Sequence, residues 1–121
     1  MSRLEQKIFH IVPRQVWQES RSTGEYRGDT LETEGFIHCS TAEQVVRTAN
    51  RIFLGREGLI VLQIDPTQVI SRVVYEDTSS TGEDFPHIYG PLNVSAVQGV
   101  QELGIGVDGS FKPLSTVWSA P

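Results

Sequence analysis

The chain has 121 residues, and its 10 lysines and arginines against 15 aspartates and glutamates give a net charge of −5. That size carries one hydrophobic core but not two, and the composition, 38% hydrophobic and 21% charged, excludes a disordered chain. The acidic balance argues against a nucleic-acid partner, because phosphate backbones are bound by basic surfaces.

Lys7 to Val12 is short, apolar and β-branched and stops at Pro13, which predicts a buried strand. Pro13 suits the first turn of a helix bearing Val16 and Trp17 and ending at Gly24. Glu25 to Glu34 is polar and glycine-punctuated, a predicted loop anchored by Tyr26. Gly35 to Cys39 reads as a second short strand, running into Ser40-Thr41-Ala42-Glu43. That tetrad has the form of a capping box, with Ser40 and Glu43 satisfying each other's backbone N–H groups. The helix that follows places Val45, Val46, Ala49, Ile52 and Phe53 at helical spacing up to Gly55.

Leu59 to Ile64 is almost wholly apolar, which predicts a central strand ended by Asp65-Pro66. A short strand at Val73 to Tyr75 leads to Glu76 and a polar loop over 77–84. Phe85 to Leu92 holds two prolines and a glycine, and is expected not to form a regular central strand. Ala96 to Leu103 is a candidate closing strand, and Phe111 and Trp118 are candidate docking points for the tail. The order β-α-β-α followed by strands predicts one α+β domain over residues 1–121, with a small split or mixed sheet and two main helices.

Cys39 is the single cysteine, which fits a reducing compartment. The N-terminal residues lack the apolar run of a secretory signal, and no segment approaches the ~20 apolar residues of a membrane span, so a cytoplasmic location is expected.

All three histidines fall in short motif-like segments, and they are expected to line one ligand pocket. His10 sits inside the first strand, where a satisfied structural role is the commoner outcome. His38 lies at a strand end directly before a helix start, a natural place for anionic ligand groups, with the Ser40 hydroxyl on the same side. Cys39 points the other way and reads as a small core residue. His87 and Tyr89 lie on a segment stiffened by Pro86 and Pro91. Glu76 is the carboxylate placed to act as a general base or ribose ligand, or else is an exposed strand-end charge. Spacing of 10, 38 and 87 offers no metal signature, and no P-loop, GxGxxG or GxSxG motif is present.

Phe9-His10-Ile11-Val12-Pro13, Gly24 to Gly28, Gly35-Phe36-Ile37-His38-Cys39-Ser40 and Phe85 to Leu92 together resemble a bacterial and plant family, domain-of-unknown-function family 952. More distantly, Phe9-His10-Ile11 and Ile37-His38-Cys39-Ser40-Thr41 are similar to motifs of the ADP-ribosyltransferase superfamily. Ile11 replaces the usual glycine of the first motif, and the superfamily's catalytic glutamate has no unmistakable counterpart. This resemblance implies an ADP-ribosyltransferase-like fold binding NAD, as a possible substrate, or an ADP-ribose-like ligand. His10, Ser40 and Tyr89 would contact that ligand, and His38 with Glu76 or His87 would carry ADP-ribosyl transfer or NAD hydrolysis. The alternatives are a non-catalytic small-molecule binding module and an RNA 2′-phosphotransferase-like enzyme.

Overall fold

The computed structural model describes residues 3–121. Its first sheet joins β1 (Ile8–Pro13), β4 (Leu59–Ile64) and β8 (Val97–Glu102) in the order β1-β4-β8, with β4 central as its apolar run predicts. Register alternates the side chains between two faces. Ile8, His10 and Val12 stand opposite Ile64, Leu62 and Ile60 on one face, and Phe9 and Ile11 stand opposite Gln63 and Val61 on the other.

Both faces are covered, so β4 is apolar at every position but Gln63 rather than alternating. On the first lies α1 (Arg14–Thr23), whose Trp17 packs with Ile8, Val12, Ile60, Leu62 and Ile64. On the second lies α3 (Val45–Ile52), whose Val45 and Ala49 meet Phe9, Leu59 and Val61, with Phe111 and Trp118 docked from the tail. The single core expected from chain length is therefore two apolar layers divided by a sheet.

Pro13 is the last residue of β1 and caps α1 from outside rather than sitting in its first turn, while Gly24 closes α1 in a left-handed conformation as the sequence predicts. The predicted loop after Gly24 is more ordered than its polarity suggests. β2 (Glu25–Tyr26) pairs with β7 (Leu92–Asn93), and α2 (Thr30–Glu34) makes a short helix capped by Gly35. Gly35 adopts φ +88°, and its N–H donates to the Leu31 carbonyl. A left-handed residue at that point favours glycine and turns the chain into the next strand.

The remaining sheet has the order β3-β6-β5, with β3 (Ile37–His38), β6 (Phe85–Tyr89) and β5 (Arg72–Glu76). A bridge between Phe9 and Ser40 joins it to the first sheet. Every described strand pair is antiparallel, so the sheet arrangement is split, as expected, but not mixed. The segment over 85–92, expected not to form a central strand, supplies the middle strand of this sheet. Pro86 is tolerated because a strand residue's N–H and C=O point to the same side. Its carbonyl accepts from Cys39 N–H at 3.0 Å, so the missing proline N–H faces the point where β3 has already ended.

The helix cap also differs from expectation, by one residue. Ser40 spends its backbone on the bridge to Phe9, and Gln44 Oε1 instead accepts from Thr41 N–H at 3.0 Å. Half of a capping box therefore forms, from Gln44 to Thr41 rather than between Ser40 and Glu43, while the Gln44 N–H donates to the Thr41 backbone carbonyl. Among the described residues no helix is long and apolar enough to cross a membrane.

Candidate functional site

The site lies on the face of the β3-β6-β5 sheet that points away from the core. Ile37 stands opposite Ile88 and both are buried, which sends their neighbours His38 and His87, also directly opposed, to the other face. Val74 lies across from His87, so Glu76, two residues further along β5, shares that face; Tyr89 and its partner Arg72 do too. Alternation alone thus gathers His38, Glu76, His87, Tyr89 and Arg72.

Their contacts make two glutamate–histidine pairs. Glu76 Oε2 accepts from His87 Nδ1 at 2.8 Å and also from the Tyr89 hydroxyl. These two hydrogen bonds, first that of Tyr89 and then that of His87, hold the Glu76 carboxyl below its ordinary range, and the same contact raises Tyr89. Glu34, at the end of α2, accepts from His38 Nε2 at 3.2 Å. The rings of His38 and His87 meet edge to face with centroids 5.2 Å apart. Phe36 stacks on His87 at 4.1 Å and flanks Tyr89 at 5.3 Å, completing a wall of rings.

Exposure divides the cluster by role. His87 is 2% exposed and forms its floor. The His38 side chain is 47% exposed and Tyr89 39% exposed, so both reach solvent. A carboxylate can only accept, so the neutral His87 ring carries its proton on Nδ1 and leaves Nε2 bare. Arg72 has no ion-pair partner among the described residues, and its charge reaches both Glu76 and Tyr89.

The third histidine is placed differently. His10 faces the first apolar layer, and both its ring nitrogens are engaged. Nδ1 donates to the His38 carbonyl at 2.6 Å, which leaves Nε2 to accept from the Tyr26 hydroxyl, also at 2.6 Å. Burial pulls His10 down from 6.5 to about 4, so the ring is neutral at physiological pH, and burial likewise raises Tyr26. His10 therefore touches the His38 backbone rather than joining its ring. Ser40 is buried, with no hydrogen bond to its hydroxyl among the described residues, and Cys39 is a buried free thiol whose ionisation burial opposes.

Glu34, Phe36 and Arg72 belong to the cluster but carried no expectation from sequence. Glu34 and His38 are four residues apart, yet that spacing signals contact only once a helix and a left-handed turn are known to separate them. No group of three or more potential metal-binding side chains occurs among the described residues. Two cavities lie elsewhere, one of about 180 Å³ beside Trp17 and another of about 680 Å³ beside Trp118.

The crystal structure of protein CC0527 from Caulobacter crescentus is 30% identical to this chain, covers 88% of it and 94% of its own length, and superposes with a TM-score of 0.79. The solution structure of CC0527 gives 31% identity, coverage of 86% and 90%, and a TM-score of 0.75. No curated protein matches the chain. Residues 11–100 match the family described as "Protein of unknown function (DUF952)", and the chain belongs to that family.

Proposed function

We propose that the face formed by Phe36, His38, Glu76, His87 and Tyr89 binds an NAD- or ADP-ribose-like ligand and, with NAD as substrate, breaks the bond between nicotinamide and ribose. The observation that carries this reading is the Glu76 carboxylate, kept ionised by two donors beside a wall of aromatic rings. Loss of nicotinamide builds positive charge on the ribose ring, and a fixed anion next to that ring lowers the barrier. Tyr89, 39% exposed, offers a ring face to a base, and Arg72, without an ion-pair partner among the described residues, offers a cation to a pyrophosphate. In this reading His10, with both ring nitrogens engaged, supports the site through the His38 carbonyl.

Titration calorimetry with NAD, ADP-ribose and nicotinamide tests the reading. Wild-type protein is expected to bind ADP-ribose, and Arg72→Ala to weaken it by about tenfold, the effect of losing about 1.4 kcal/mol at a charge-assisted contact. Failure of wild-type protein to bind or cleave any of the three compounds removes the proposal. Binding without turnover, in wild type and His38→Ala alike, selects the non-catalytic module instead.

A further inference from the structure

His87 combines three properties that structural histidines rarely share. It is almost wholly buried, one ring nitrogen is fixed by a carboxylate, and the other makes no bond within the described protein. That second nitrogen is nevertheless not sealed in. Among the described residues, the fully enclosed side-chain polar atom without a partner is Trp17 Nε1 alone, so the bare Nε2 of His87 retains a path to solvent. The stacked Phe36 ring and the edge of His38 restrict the directions from which a small group can reach it.

We infer that His87 is the proton acceptor of this site, with Glu76 as the residue that sets its tautomer, and that it activates water or an alcohol hydroxyl for attack on a ribosyl carbon. The inference rests on the ligand class proposed above and supplies what Glu76 alone does not. Nicotinamide leaves NAD as a neutral molecule, carrying off the electron pair of the broken C1′–N bond, so the leaving group requires no acid. The incoming water does require a base. Its oxygen forms the new bond to C1′, and the proton it sheds passes to His87 Nε2 and then to bulk water, while Glu76 offsets the charge on the imidazolium. An exposed histidine exchanges protons with solvent from any side, whereas one set between rings takes a proton from a group held on this face.

Proton transfer by a placed side chain is worth about 10²–10⁴-fold in rate. His87→Gln and His87→Ala are therefore expected to lower kcat for NAD hydrolysis at least about a hundredfold. Added imidazole is expected to restore turnover in His87→Ala, a rescue that a purely structural histidine does not give. Nitrogen-15 spectra of the intact chain above neutral pH are expected to show protonated Nδ1 and bare Nε2, independently of any variant's folding. Undiminished turnover in His87→Gln, absence of imidazole rescue in folded His87→Ala, or a proton on Nε2 overturns the assignment. Wild-type protein that binds ADP-ribose without hydrolysing NAD also overturns it and leaves the binding proposal standing. Absence of binding ends both.

Discussion

The backbone carbonyl of His38 accepts a hydrogen bond from the His10 ring at 2.6 Å, so the strand end that carries the exposed imidazole is tied to the sheet behind it. Tyr26 closes the chain by donating to the opposite nitrogen of the same ring. Replacing His10 with leucine leaves the Tyr26 hydroxyl and the His38 carbonyl without partners, which costs about 1–3 kcal/mol. Because both bonds pass through one ring, adding Tyr26→Phe is expected to cost less than the sum of the single changes. Urea denaturation of the two single variants and the double variant measures that coupling, and strict additivity would show the two bonds to be independent.

The same ring gives stability a pH dependence. His10 titrates near 4 in the folded chain and near 6.5 when unfolded, so between those values the unfolded chain binds more protons. Stability is thus full above about pH 6.5, falls as the pH drops towards 4, and levels off below it. At about 1.4 kcal/mol per pH unit the loss is at most about 3–4 kcal/mol, and less where water reaches the partly buried ring. Tyr26, Asp29 and His38 face the ring; the His38 carbonyl and then Asp29 favour its proton, and the charge of the His38 ring opposes it. Denaturation midpoints between pH 4 and 7 are expected to decline in wild type more steeply than in His10→Leu. Parallel profiles would place the pH dependence in other groups.

Gly28 fixes how closely the chain approaches this relay. It adopts φ +72°, and a Cβ there would sit 3.2 Å from the Tyr26 hydroxyl oxygen. Gly24, at φ +82°, has nothing within 4 Å of the same position. Gly24→Ala therefore carries only the left-handed backbone cost of about 1–2 kcal/mol. Gly28→Ala is expected to exceed it, because the methyl also pushes Tyr26 off His10. Thermal melts of both variants give the difference directly, and equal losses would mean that Tyr26 moves aside freely.

How far the sequence discloses this arrangement depends on the range of the deciding contact. The apolar run of β4 and the proline and glycine bounding α1 are local and were legible, whereas the shared face of His87, Tyr89 and Glu76 follows only once 85–89 is seen as a strand paired to β5. Pro86 was misleading because the strand rule concerns which neighbour loses a hydrogen bond, and that neighbour, β3, is nearly fifty residues away in sequence and ends just before it. The partnership of Glu34 with His38 was hidden by reading residues 25–34 as loop, since the polar run gives no hint that Gly35 caps a helix. His10 lies in a readable strand, but its satisfaction by Tyr26 and the His38 carbonyl depends on two other segments arriving beside it.

The helix cap shows the same principle in testable form. Ser40-Thr41-Ala42-Glu43 and Thr41-Ala42-Glu43-Gln44 both fit the capping pattern, one residue out of step, and no local preference separates them. What decides is the bridge of Ser40 to Phe9, which consumes the Ser40 backbone N–H in a bond of 2.8 Å and leaves Thr41 as the first unsatisfied donor. Gln44 then serves three segments at once. It accepts from Thr41 N–H at 3.0 Å and donates to the Asp84 carbonyl at 2.8 Å and to Glu83 at 3.0 Å, pinning the polar loop before β6 to the start of α3. Gln44→Ala strips all three and leaves a part-buried backbone N–H and carbonyl without their side-chain partner, an expected cost of about 1–2 kcal/mol. Ser40→Ala removes a hydroxyl that bonds to nothing in the described chain, and is expected to change stability by no more than about 0.5 kcal/mol. Glu43→Ala is expected to be equally mild, because the carboxylate is not the cap. Urea midpoints for the three variants discriminate the two frames: a loss at Ser40 and Glu43 rather than Gln44 would restore the box one residue earlier.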